Sequence, residues 1–197
     1  MKRTLLSVLT VCGVLSAQAN IFEYTVSLSG PNESPANASP GIGSGTVNYD
    51  DVNHLLQLQV TYSGLLGPVT QSHIHAPTSA PFFQTAGIAV GNTSLPGFVT
   101  GATSGTYSNT LDLTQTSIYN TTFLANNGGS AANAEAAVAA AMAGNLAYWN
   151  IHSTSFPGGE IRGFTVAVPE PSSLTLVGLG AVGLAARVWS KRRAKKS

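Results

Sequence analysis

All but one of the basic residues in a stretch this long stand at its two ends, and that split decides what can fold. Of nine Lys and Arg in 197 residues, Lys2 and Arg3 open the chain. Arg187, Lys191, Arg192, Arg193, Lys195 and Lys196 close it. Between residues 20 and 168 the single cation is Arg162, set against Glu23, Glu33, Asp50, Asp51, Asp112, Glu135 and Glu160. The formal charge of +1 therefore hides a middle piece of −6. A surface like that does not bind phosphate backbones, so nucleic-acid binding is excluded for it. The only cysteine, Cys12, lies outside the middle piece, which removes disulfides and thiolate metal sites. What remains is one domain's length, enough for a core without covalent staples.

The N-terminal end reads as a signal peptide over 1–19. Lys2 and Arg3 form its positive region, an apolar run spans 5–15, and Ala17 and Ala19 frame an A-x-A cleavage pattern. The apolar run is too short for a membrane span, which needs roughly 20 residues. At the other end a Val-Pro-Glu-Pro motif (168–171) precedes an uncharged stretch and then a basic cluster. The stretch predicts a membrane helix over about 172–189, overlapping a basic tail at 187–197. The tail's charges predict a cytoplasmic end and an exported domain.

This three-part end, with Pro169, Glu170 and Pro171 at its head, resembles the bacterial PEP-CTERM sorting signal. The resemblance implies processing by an exosortase-type membrane protease. The chain would be anchored by its helix first, then placed at the cell surface or outside the cell.

The middle piece, 20–168, alternates apolar and polar residues in short runs. Phe22, Tyr24, Val26 and Leu28 share one side of a first strand. Residues 43–62 read as a hairpin turning at 50–53, and 31–41 as a loop. Further strands are expected at 69–75, 86–90, 96–100, 104–113, 146–152 and 161–168. Residues 130–143 carry alanine at nine positions and no proline, which predicts a helix. The expected fold is all-β: an antiparallel, Greek-key-like β-sandwich with one short Ala-rich crossover helix.

His73 and His75 alternate on one strand and so face the same way, about 6.5–7 Å apart along the chain. His152 ends a second strand. If the two strands pair, three imidazoles converge, a donor set suited to Zn or Cu. The alternative is a hydrogen-bonded polar cluster that locks the sandwich, made by these histidines with Glu33, Asn150, Glu160 and Arg162. Arg162, the sole cation, is expected to be held by a carboxylate. Glu160, two residues earlier, and Glu33, in the first long loop, are the candidates. His54, beside a turn, reads as a packed or surface residue.

Four blocks carry a second resemblance. Leu28-Ser29-Gly30-Pro31-Asn32-Glu33-Ser34-Pro35, Ser72-His73-Ile74-His75-Ala76-Pro77, Tyr148-Trp149-Asn150-Ile151-His152-Ser153 and Phe156-Pro157-Gly158-Gly159-Glu160-Ile161-Arg162-Gly163 resemble, in order, the blocks of a CHRD domain, the module named from chordin. The resemblance implies a β-sandwich of secreted proteins with no settled activity. The His-x-His is also distantly similar to that of copper–zinc superoxide dismutase. That site further needs a bridging His, an Asp and a disulfide, and this domain has no Cys and four His.

No Gly-x-Ser-x-Gly elbow, P-loop or His-Glu-x-x-His occurs. The expected role is a binding or structural module of the cell envelope or extracellular matrix. Its partners would be extracellular polysaccharide or matrix proteins. The alternative is a Cu or Zn domain with redox or hydrolytic chemistry.

Overall fold

Alternation of side chains across each strand leaves one apolar face, and the fold is the burial of that face. The computed structural model describes residues 20–169. The expected signal peptide with Ala17 and Ala19, the membrane helix, the basic tail, and Glu170 and Pro171 of the motif lie outside the described residues. Pro169 is the last residue described and is exposed. No helix among the described residues is long and apolar enough to cross a membrane.

Nine strands follow in the order β1 (Ile21–Ser29), β2 (Ile42–Asp50), β3 (Leu55–Ser63), β4 (Val69–His75), β5 (Ile88–Val90), β6 (Gly105–Asp112), β7 (Tyr148–Ser153), β8 (Ile161–Phe164) and β9 (Val166–Ala167). Two helices, α1 (Thr121–Asn126) and α2 (Ala131–Ala143), stand between β6 and β7. The strands form one antiparallel sheet in the order β5-β4-β7-β8-β1-β2-β3-β6, with β9 beside β1. The sheet curls into a half-barrel. Backbone hydrogen bonds from Leu95 to Ser72, from Val69 to Ala102 and from Leu65 to Thr103 tie the approach to β6 back onto β4 and the link that precedes it. β8 presses closely on β1: a Cβ at Gly163 would lie 2.3 Å from the Ser27 carbonyl oxygen.

The concave face holds Tyr24, Val26 and Leu28 of β1, Leu56, Leu58 and Val60 of β3, and Trp149 and Ile151 of β7, all buried. Each such side chain contributes about 1.5–3 kcal/mol on removal from water. α2 starts at Ser130 and stops at Gly144. It buries Ala134, Val138, Ala141 and Met142, one stripe of the helix. Its buried Glu135 accepts hydrogen bonds from the Tyr49 hydroxyl (2.9 Å) and from His54 Nδ1 (3.0 Å), fixing the helix to the β2–β3 hairpin. His54 has a half-exposed side chain and a φ of 56°.

The structure departs from the sequence expectations in places. The 96–100 segment is a turn at 96–97 followed by irregular chain, not a strand. Pro96 and Gly97 prevent a ladder, yet Leu95 and Phe98 are buried. α1 was unexpected; Asn120 caps it by accepting from the amides of Thr122 and Phe123. The last strand is broken at Thr165 into β8 and β9.

Candidate metal centre

β7 is buried along its whole length, on both faces. One face is core. The other carries Tyr148, Asn150 and His152, and its neighbours extend the row. In the β4–β7 register His73 is opposite Asn150 and His75 opposite Tyr148. In the β7–β8 register Asn150 is opposite Arg162 and Tyr148 opposite Phe164. Seven side chains of polar or aromatic character thus share the convex face of three strands. The segments after β4 and after β7 cover them.

His73, His75 and His152 come together, each offering a ring nitrogen within 4.8 Å of the others. They are buried, at 0%, 8% and 6% exposure. Each ring has one nitrogen against a backbone carbonyl: His73 Nε2 with Thr93 (3.0 Å), His75 Nδ1 with Ala86 (2.9 Å) and His152 Nδ1 with Pro157 (2.9 Å). A carbonyl only accepts, so these nitrogens carry the hydrogens. The other three, His73 Nδ1, His75 Nε2 and His152 Nε2, then hold bare lone pairs. His73 Nδ1 lies 3.3 Å from His152 Nε2. His75 Nε2 is buried without a hydrogen-bond partner. Burial holds His73 and His75 down to about 4, and also lowers His152, so the rings are neutral near pH 7. Tyr148 stacks on the His75 ring at 4.8 Å and fixes its plane.

Two nitrogens bound tetrahedrally to one ion at 2.0–2.1 Å stand about 3.3–3.4 Å apart. The His73–His152 separation already has that value. The donor set suits Zn²⁺ or Cu²⁺, and carbonyls that orient the far side of each ring are what histidine ligands ordinarily use. Among the described residues no carboxylate or thiolate joins the three.

The remaining predicted residues divide into two groups. Arg162 Nε donates to the Asn32 carbonyl and Nη1 to that of Gln84 (3.0 Å). The guanidinium lies 4.8 Å over the Tyr148 ring. Its carboxylate neighbour is Glu33, at 3.9 Å. Burial pushes the Glu33 carboxyl up to about 7, against the lowering effect of Arg162. Asn150 lies between this pair and the histidines. A Cβ at Gly159, which has φ +131°, would fall 2.6–2.8 Å from the Asn150 amide and Glu33 Oε1, so only glycine fits there.

Glu160 stands apart, correcting the expectation that it joins the polar cluster with Arg162. Its amide bonds to Ile151, one residue out of the β7–β8 register, so the chain slips before β8 and Glu160 turns to the core side. There it accepts from Ser39 (2.6 Å), Ser153 and the Leu66 amide (2.6 Å). These hydrogen bonds hold its carboxyl below the usual range although burial opposes them.

The sequence reading missed the parts that orient the site. The Thr93, Ala86 and Pro157 carbonyls are backbone atoms and leave no side-chain signal. Tyr148 was visible only as the first residue of the Tyr148–Ser153 block, with no role attached to it.

Comparison with known proteins bears on the whole chain. A family model for the PEP-CTERM protein-sorting motif matches residues 167–193. The motif indicates export, membrane association before processing by an exosortase, and then a place at the surface or outside the cell. Neither the curated proteins nor the solved structures include a significant match. The CHRD domain model matches residues 24–165, most of the chain and every strand that carries the histidine face, and the chain belongs to the CHRD domain family.

Proposed function

We propose that this exported, surface-sorted domain is a binding module that holds one Cu²⁺ or Zn²⁺ ion through His73, His75 and His152. One observation carries the reading: three buried ring nitrogens converge with lone pairs bare, because backbone carbonyls take the hydrogens on the far side of each ring. Two bare lone pairs at 3.3 Å repel one another. A cation between them turns that repulsion into attraction and gives His75 Nε2 its missing partner.

The ion would bridge β4 and β7, the strands between which the three ligands are divided. Three protein nitrogens leave a fourth position for water or a small exogenous ligand. Burial of all three rings favours holding the ion over turning over a large substrate. For an all-nitrogen site Cu²⁺ binds more tightly than Zn²⁺, and supply decides between them.

The test is metal analysis of protein purified without a histidine tag. The protein is stripped with chelator, incubated with Cu²⁺ or Zn²⁺, and desalted. The expected result is one ion per chain, falling to background in the His73→Ala, His75→Ala double variant. A parent protein that retains no stoichiometric metal overturns the proposal.

A further inference from the structure

A cleft of about 470 Å³ lies on the Arg162 side of the convex face. It falls within the range of small-molecule sites, roughly 300–1,000 Å³. The loop after β1, the 82–84 loop and strands β8 and β9 form its walls. Its polar groups come from Glu33, Arg162, Ser34 and Gln84, and its apolar ones chiefly from Phe82 and Phe83.

Three observations mark it as a built site. First, Glu33 and Arg162 line the cleft with side chains only 7% and 5% exposed, a buried polar pair beneath an open mouth. Second, Phe82 and Phe83 are 53% and 62% exposed, although the domain has a core in which to bury them. Phe82 packs edge-on against Phe164 at 5.8 Å, and Phe83 has no aromatic partner among the described residues. Third, Phe82 and Gln84 both sit at positive φ, 59° and 69°. Such backbone is costly for residues other than glycine and clusters where a loop clamps a ligand. The Phe82 amide, bonded to the Asn145 carbonyl (3.1 Å), pins the loop in that shape.

The chemistry of the walls selects the ligand. A cation meets Arg162 and an anion meets Glu33, so neither sign of charge is favoured. Two of the Arg162 donor groups already serve backbone carbonyls and so do not offer the fork that anions require. The ligand must bring no net charge, exchange hydrogen bonds with serine and amide groups, and offer a flat C–H face to exposed phenyl rings, whose faces are electronegative. A sugar ring has all three properties.

We propose that this cleft binds a neutral carbohydrate, with Phe83 as the stacking platform and the exposed Ser34 and Gln84 side chains as hydrogen-bonding partners of ring hydroxyls. The proposal is independent of the metal reading, since none of the three histidines lines the cleft.

The full-length chain is kept in solution with a zwitterionic, sugar-free detergent. It is titrated by calorimetry with neutral oligosaccharides built on glucose, galactose, mannose, xylose and N-acetylglucosamine, each at millimolar concentration. At least one is expected to bind. Phe83→Ala, an exposed position whose loss spares the core, should weaken that binding about tenfold or more, a change of about 1.4 kcal/mol. Adding chelator should leave it unchanged, which separates this site from the metal centre. No binding by any neutral oligosaccharide overturns the proposal, as does an unchanged affinity in Phe83→Ala. Binding of acidic oligosaccharides or peptides in preference to neutral ones also overturns it.

Discussion

The convex face of the sheet is two surfaces. Over β3 it carries Gln57, Gln59 and Thr61, all exposed. Over β4, β7 and β8 the same face carries His73, His75, Asn150, His152 and Arg162, all buried. Both regions alternate apolar-in and polar-out, so the strand rule is satisfied equally. The difference lies in the cover. Segments at 30–34, 76–87, 91–94 and 154–160 close over one half and leave the other wet. Uncharged amides facing water need nothing further. Titratable side chains taken out of water need partners, and those at β4, β7 and β8 obtain them from backbone carbonyls of the covering loops.

The comparison is broken most severely at Arg162. Removing one partner of a buried pair costs about 3–5 kcal/mol. Here Arg162→Ala should fall toward the low end, because the Glu33 left behind can take up a proton. Gln59→Ala, on the wet half, should stay within about 0.5 kcal/mol. Urea denaturation of the two variants measures both. Equal stabilities would mean that the covered face does not lock the fold.

Metal sharpens the same contrast. An ion that binds only the folded chain stabilises it by about 2.7 kcal/mol at a hundredfold excess over Kd. The melting temperature should therefore rise with added Cu²⁺ or Zn²⁺ in the parent and in Gln59→Ala. It should not rise in the His73→Ala, His75→Ala variant.

Glu33 makes the covered half pH-dependent. Its carboxyl stands at about 7 when folded, raised by burial, against 4.5 as its ordinary value. The folded state thus keeps a proton that the unfolded chain has released. Its contribution is complete below about pH 4.5 and is lost as pH rises through about 7. Glu33→Gln cannot titrate, so the difference between parent and variant stability should shrink across that window. A difference that is flat with pH would show Glu33 ionised throughout.

How much of this was legible follows from the kind of signal each part leaves. β1, the β2–β3 hairpin and β4 were legible because period-two alternation is written in side chains. The pairing of His73 with His75 was legible for the same reason, and His152 joined them once two strands were matched. Glu160 was misplaced because a one-residue slip of register leaves no mark in composition, while it reverses the face of every residue before it. The Ala86, Thr93 and Pro157 carbonyls and the left-handed backbone at Phe82 and Gln84 belong to loops, where conformation is set by tertiary contacts. The chemistry-bearing residue types could be read from the chain; their tautomers and cover could not.

The smallest expected effect lies at the edge of the wet half. His54 donates from Nδ1 to Glu135, and this hydrogen bond and the carboxylate charge raise its pKa above 6.5. Folding therefore strengthens proton binding there. The stabilisation is fully present below about pH 6.5 and is lost as pH rises through the raised folded value. The buried histidines act in the opposite sense, since burial lowers their pKa values and costs stability as they protonate in acid. The two senses separate in a difference measurement. The stability of the parent minus that of His54→Gln should be positive at pH 6 and decline toward zero in alkali. A difference that stays near zero at every pH would mean that Glu135 is held by Tyr49 alone, and that α2 owes nothing to His54.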